Sequence, residues 1–148
     1  MEHKEEIAKK RKDGWLEVWF GIEAIGVDKD VVGKALKAHV EKIARIKDVL
    51  VYETSLKESK DIGKPPQGIQ GDKAWSQVAD VKFFVKDLAS LIGIIIVYGP
   101  SSVEILGPAK KEFRIDELQN TANTVAGIMH EFASRGVGGV LISAEQKK

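Results

Sequence analysis

The spacing of apolar residues switches along this chain between a period of two and a period of about 3.6, so the fold must combine strands with helices. Trp15 to Ile25 alternates, with Leu16, Val18, Phe20, Ile22 and Ala24 on one side and Trp15, Glu17, Trp19, Gly21 and Glu23 on the other. That is the pattern of a strand with one buried face. Asp28 is suited to cap the helix that follows, in which Val32, Leu36, Val40, Ile43 and Ile46 recur at helical spacing. Lys34, Lys37, Glu41 and Lys42 fall on its wet side.

Val49 to Lys57 is rich in β-branched and aromatic residues, and its alternation puts Leu50, Tyr52, Thr54 and Leu56 on one face of a second strand. Ser59 to Lys73 reads as neither strand nor helix, because it carries Pro65-Pro66 and Gly63, Gly68 and Gly71 among polar residues. Loops of that length in a compact domain are functional lids or mobile segments. Ser76 to Lys86 resumes alternation, with Ala79, Val81, Phe83 and Val85 facing one way and Val78, Asp80, Lys82 and Phe84 the other.

Over residues 87–98 two signals compete. Ile94-Ile95-Ile96-Val97 favours a strand, whereas Asp87 as cap, Leu88, Leu91, Ile92, Ile95 and Tyr98 at helical spacing, and Gly99-Pro100 as stop favour a helix. The helix is the reading adopted, and its apolar circumference predicts burial on two sides. Val103 to Leu106 makes a short strand closed by Gly107-Pro108. Asp116 and Gln119 have the spacing of a capping box for a helix with Leu118, Ala122, Val125, Met129 and Phe132 on one face and Gly136 as its stop. Val140 to Ser143 supplies a last short strand or an extended tail.

The expected architecture is therefore α+β: a ferredoxin-like βαββαβ core, an antiparallel sheet with helices on one face, extended by a C-terminal helix and short strand. A charged segment, residues 1–13, precedes a single domain over 14–148 with a long loop at 59–73; a chain of 148 residues has the usual size of one domain. In element order this core resembles ferredoxin-like architectures that include ligand-sensing modules of the ACT and RAM type and RNA-recognition motifs. No family motif accompanies that order, so it assigns no functional residue.

Charge and composition narrow the function classes. The 23 Lys plus Arg against 22 Asp plus Glu give no general attraction to nucleic acid or anionic membranes. The absence of cysteine removes thiolate chemistry and Cys-ligated metals. Met1 to Asp13 has no apolar stretch of the kind a secretion signal needs, and Leu91 to Tyr98, the longest apolar run, is too short to cross a bilayer. A cytoplasmic location is expected. Abundant Lys and Glu, with Asn only at 120 and 123, resemble the composition of heat-adapted proteins.

No catalytic, metal or cofactor site is legible. His39 and His130 sit on helices with no second His at ligand spacing, and a boundary between core and solvent accounts for both. Glu17 and Glu23 share a strand face but lie about 20 Å apart. Asp80 can approach either one if the first and third strands are neighbours, although Lys82 nearby suggests a solvated face. Gly63-Lys64 and Gly99-Pro100-Ser101-Ser102 lack the spacing of a phosphate cradle, and Gly136-Val137-Gly138-Gly139 reads as a helix stop and connection.

The informative feature is the sheet face opposite the helices, where Trp15, Trp19, Val78 and Phe84 project; an open apolar face of this kind usually has a partner, here either an identical subunit or the added C-terminal helix. The expected role is a non-enzymatic homo-oligomer binding a small molecule or a protein partner in the manner of a regulatory sensor. In that reading loop 59–73 closes over a pocket lined by Trp75, Trp19 or Tyr98. One alternative is a single-stranded RNA platform, against which stand the missing RNP glycines and the net charge of +1. The other is an enzyme with a site at a subunit interface, using Asp80, Lys82 or His39. The basic run Lys9 to Lys12 reads as a solvated end.

Overall fold

The computed structural model, which describes residues 3–138, runs α1 (His3–Lys12), β1 (Leu16–Gly26), α2 (Lys29–Ala44), β2 (Val49–Leu56), β3 (Lys60–Gly63), β4 (Ala74–Val85), α3 (Leu88–Tyr98), β5 (Ser102–Gly107) and α4 (Ile115–Ser134). The chain divides into two compact units, Met1–Lys111 and Glu112–Lys148.

In the first unit the alternating segments pair as the apolar pattern requires. β1 and β4 form an uninterrupted antiparallel ladder from Leu16 opposite Val85 to Gly26 opposite Trp75. β5 pairs with β1 and β2 with β4, both antiparallel, so the four longer strands lie in the order β2-β4-β1-β5. This interleaving of two βαβ units is the ferredoxin-like α+β core. β3 is an addition that pairs with β4.

α2 and α3 lie on one face of the sheet, where Val18, Phe20, Val81 and Phe83 meet Leu36, Val40, Ile43, Leu91 and Ile94 in one apolar cluster. Phe20 and Phe83 pack edge to face with centroids 4.8 Å apart. Each fully buried side chain of this kind contributes about 1.5–3 kcal/mol. Helix ends follow the sequence signals. The Asp28 carboxylate accepts from the amides of Asp30 and Val31, and the Asp87 carboxylate from that of Ser90 at 2.8 Å. Gly99, at φ 55, closes α3 in the left-handed conformation that glycine adopts without a Cβ clash. Cap and stop together outweigh the β-branched run, and 88–98 is helix.

Several expectations are corrected. Loop 59–73 is not structureless, since Lys60–Gly63 forms β3. β2 does not alternate regularly. Val51 pairs with Phe83 and Glu53 with Lys82, so Tyr52 is an extra residue in a bulge, and beyond it Thr54 and Leu56 lie on the opposite face from Leu50. α3 buries Leu91 and Ile94 but leaves Val97 71% exposed, so it is not covered all round. The charged N-terminal run, expected as a solvated end, buries no residue, and it is helical over α1.

In the second unit, α4 carries no buried residue, and Leu118, Val125 and Met129 are exposed. The capping box is not formed. Arg114 is the N-cap, without a side-chain bond, and Asp116 inside the first turn accepts from the Arg114 guanidinium instead. The expected strand Val140 to Ser143 lies outside the described residues.

Candidate functional site

Two bulges and one helix end converge on Glu17. Glu17 projects from β1 on the face away from α2 and α3, opposite Phe84 of β4 and Gly107 of β5. On β5 the register slips at this level: Glu17 pairs with Gly107 and Val18 with Ile105, leaving Leu106 as the extra residue. On β2 the slip falls at Tyr52. A bulge turns a side chain out of the regular pleat. Here the Tyr52 ring lies 5.2 Å from that of Phe84, and its hydroxyl donates to Glu17 Oε2 at 2.6 Å.

α1 brings the third group. Its last turn is closed by Gly14, at φ 77, and Trp15, whose amides donate to the Arg11 and Lys10 carbonyls. The short return places Arg11 over the start of β1. Arg11 grips Glu17 with both arms, Nε to Oε1 at 3.0 Å and Nη2 to Oε2 at 3.1 Å, while its guanidinium lies 5.9 Å from the centroid of the Phe84 ring. A bidentate, charge-assisted pair is the strong form of this interaction.

Burial and bonding set the protonation states. The Glu17 side chain is only 13% exposed. The hydrogen bonds from Arg11 hold its carboxyl below the usual range against the opposing effect of burial, and the Tyr52 bond adds to them. The Tyr52 phenol is pushed up, first by burial and then by donating to the Glu17 carboxylate. The cluster is an ionised carboxylate between a guanidinium and a neutral phenol.

A cavity of about 320 Å³ opens beside it, lined by Arg11, Trp15, Glu17, Phe84, Leu106 and the segment Gly107–Ala109. Lys10 Nζ stands 3.9 Å from the centroid of the Trp15 ring, and Lys111 Nζ donates to the Gly14 carbonyl. Trp15 and Phe84, both expected at a site, are thus brought together. Phe84 is fully buried, under Tyr52 and Arg11.

The remaining expected residues lie elsewhere. Trp19 is further along the same face; its indole N–H donates to Asp80 at 3.1 Å, and its ring covers Gly21, where an added Cβ would stand 2.9 Å from it. Val78 is opposite Glu23, whose carboxylate accepts from Ser76. Trp75 shares the parity of the helix-facing residues of β4, with Lys29 and Lys73 over its ring at 5.3 and 4.8 Å. Tyr98 lines a separate cavity of about 260 Å³ with His39, whose Nε2 is 2.8 Å from the Tyr98 carbonyl. Trp75, Trp19 and Tyr98 do not surround one pocket.

The sheet face itself is not the open apolar surface that its aromatics suggest. Glu17, Glu23, Asp80, Lys82, Glu53 and Glu104 share it, with a Lys82–Glu53 ion pair at 3.0 Å and a Lys57–Asp80 pair at 3.7 Å. Arg11, Glu17 and Tyr52 had no signal at the sequence level as a group. They are far apart in the chain, and the bulge that aligns Tyr52 breaks the alternation by which faces are assigned.

Among the described residues no group of three or more His, Asp or Glu side chains is placed to hold a metal ion, and no helix is long and apolar enough to cross a membrane. No curated protein matches the chain. A family model does match, over residues 17–147, from the ion-paired glutamate through both units, and by that match the chain belongs to the MJ0538 family.

Proposed function

We propose that this chain is a non-enzymatic binding protein of the regulatory, sensor type, which takes a small molecule into the cavity beside Glu17 and associates with a second copy of itself. The observation that carries the reading is the convergence of two bulges and the end of α1 on one carboxylate at the wall of that cavity. Bulges next to binding sites re-aim side chains at a cost in ladder hydrogen bonds. Glu17 itself suits binding better than proton transfer. A carboxyl held ionised well below neutral pH is a weak general acid or base, whose pKa works best near the operating pH.

Self-association is supported by β5. It ends the strand order, and Val103 and Ile105 on its helix-facing side are 40% and 52% exposed. A two-fold axis normal to the sheet pairs residues of equal parity. Centring it on Glu104 sets two carboxylates against each other, whereas centring it on Ile105 puts Glu104 opposite Leu106. The second register is the one proposed. The RNA-platform reading is disfavoured by Glu17, Glu23, Asp80 and Glu104 on the face that would meet phosphates.

Native mass spectrometry of the full chain tests the proposal. A dimer is expected, with added mass from retained ligand. Ile105→Lys should give a folded monomer, and a wild-type protein already monomeric at micromolar concentration would sink the self-association half.

A further inference from the structure

Among the side chains that line the cavity beside Glu17, the guanidinium of Arg11 has the most hydrogen-bonding capacity to spare. Of roughly four acceptor positions on a carboxylate, Glu17 uses three, for two bonds from Arg11 and one from Tyr52. Arg11 uses two of the roughly five N–H groups of a guanidinium on that carboxylate, and its side chain remains 60% exposed at the cavity wall. Arg11 and Glu17 cancel in charge, and Lys10, over the Trp15 ring, adds a positive charge beside the cavity. Two further carboxylates of this face stand level with Trp19, two residues along β1 from Glu17: Glu104 on β5 and Glu53 on β2. Lys82, also opposite Trp19, is paired with Glu53.

The other lining side chains are apolar: Trp15, Phe84, Leu106 and those of the segment Gly107–Ala109. A volume of about 320 Å³ is at the small end of ligand pockets, which run from about 300 to 1,000 Å³. We infer that the ligand is a small organic anion, a one- or two-ring apolar body lying against Trp15 and carrying a carboxylate that accepts from Arg11. This rests on the small-molecule reading above and adds the class of molecule. Arg11 then serves two anions at once, Glu17 with one edge of its fork and the ligand with the rest, as a guanidinium can and a lysine cannot.

Three probes with one ring system and different charge test it: 1-naphthaleneacetate, 1-naphthylmethanol and 1-naphthylmethylamine, each titrated calorimetrically into the full-length protein. The acetate should bind at least tenfold more tightly than the amine, with the alcohol between them. Arg11→Met should abolish or invert the preference, because it leaves the Glu17 carboxylate uncompensated at the wall. Glu17→Gln, which keeps the guanidinium, should retain the preference, so the conclusion does not hang on one variant that might loosen α1. Trp15→Ala should weaken all three by a similar factor, which places them in this cavity. Equal affinities, or tighter binding of the amine, would overturn the anion class while leaving the cavity as a binding site. No binding of any of the three to the wild-type protein would overturn the small-molecule reading and this inference with it.

Discussion

Arg11 and Tyr52 together make Glu17 the residue at which pH meets stability. Because the folded carboxyl titrates below its ordinary range, its contribution is full above the unfolded value of about 4.3 and fades as pH falls through the folded value. The melting temperature of the wild type should therefore drop more steeply than that of Glu17→Gln between about pH 5 and pH 2. Parallel curves would mean that the pair adds nothing. The Tyr52 phenol has the opposite sign. Its folded pKa is raised, so its stabilisation is intact below the unfolded value of about 10 and declines as pH rises beyond it. Tyr52→Phe removes a hydrogen bond to a charged acceptor, which costs about 1.5–3 kcal/mol at neutral pH, and it should flatten the alkaline limb of the same melting curve. Trp15 and Phe84, which line the candidate cavity, stand out in the sequence because they are large aromatics on a strand's polar side. Arg11 looked like one basic residue among four, and Tyr52 like an ordinary member of an alternating strand.

Helix caps separate what sequence patterns do from what they suggest. Asp28 bonds two amides of α2, and Asp28→Ala should cost about 1 kcal/mol in a denaturant titration. Asp116 has the same appearance in the sequence, yet it sits inside the first turn of α4 and bonds Arg114, so Asp116→Ala should stay within about 0.5 kcal/mol. Comparable losses from both substitutions would contradict the caps described. Strand identity and the buried face of β1, α2 and β4 were readable because period and burial coincide there. The exceptions share a cause. β3 is four residues long, too short for a period to show, and a bulge shifts the period without changing composition. Glycines and prolines marked 59–73 as loop, and β3 forms within it because the neighbouring end of β4 offers a free edge for Lys60 and Asp61 to pair with.

At the level of the whole molecule, the apolar cluster is drawn entirely from residues 16–98, inside the first unit. A chain ending at Lys111 should thus unfold cooperatively and keep the near-ultraviolet circular dichroism of Phe20, Phe83, Tyr52 and the three tryptophans; a non-cooperative melt would show that residues 112–148 are needed to complete the core. Within that unit the ladder of β1 with β4 is unbroken, whereas both outer strands slip register beside the same glutamate. Amide exchange with heavy water should consequently proceed in tiers, with the amides of Val18, Phe20, Val81 and Phe83 released only when the molecule unfolds globally. The margins, β2 beyond Tyr52 and, in the monomer, β5 around Leu106, should exchange earlier. A sheet of this construction has a stiff spine and two borders that can yield independently of it.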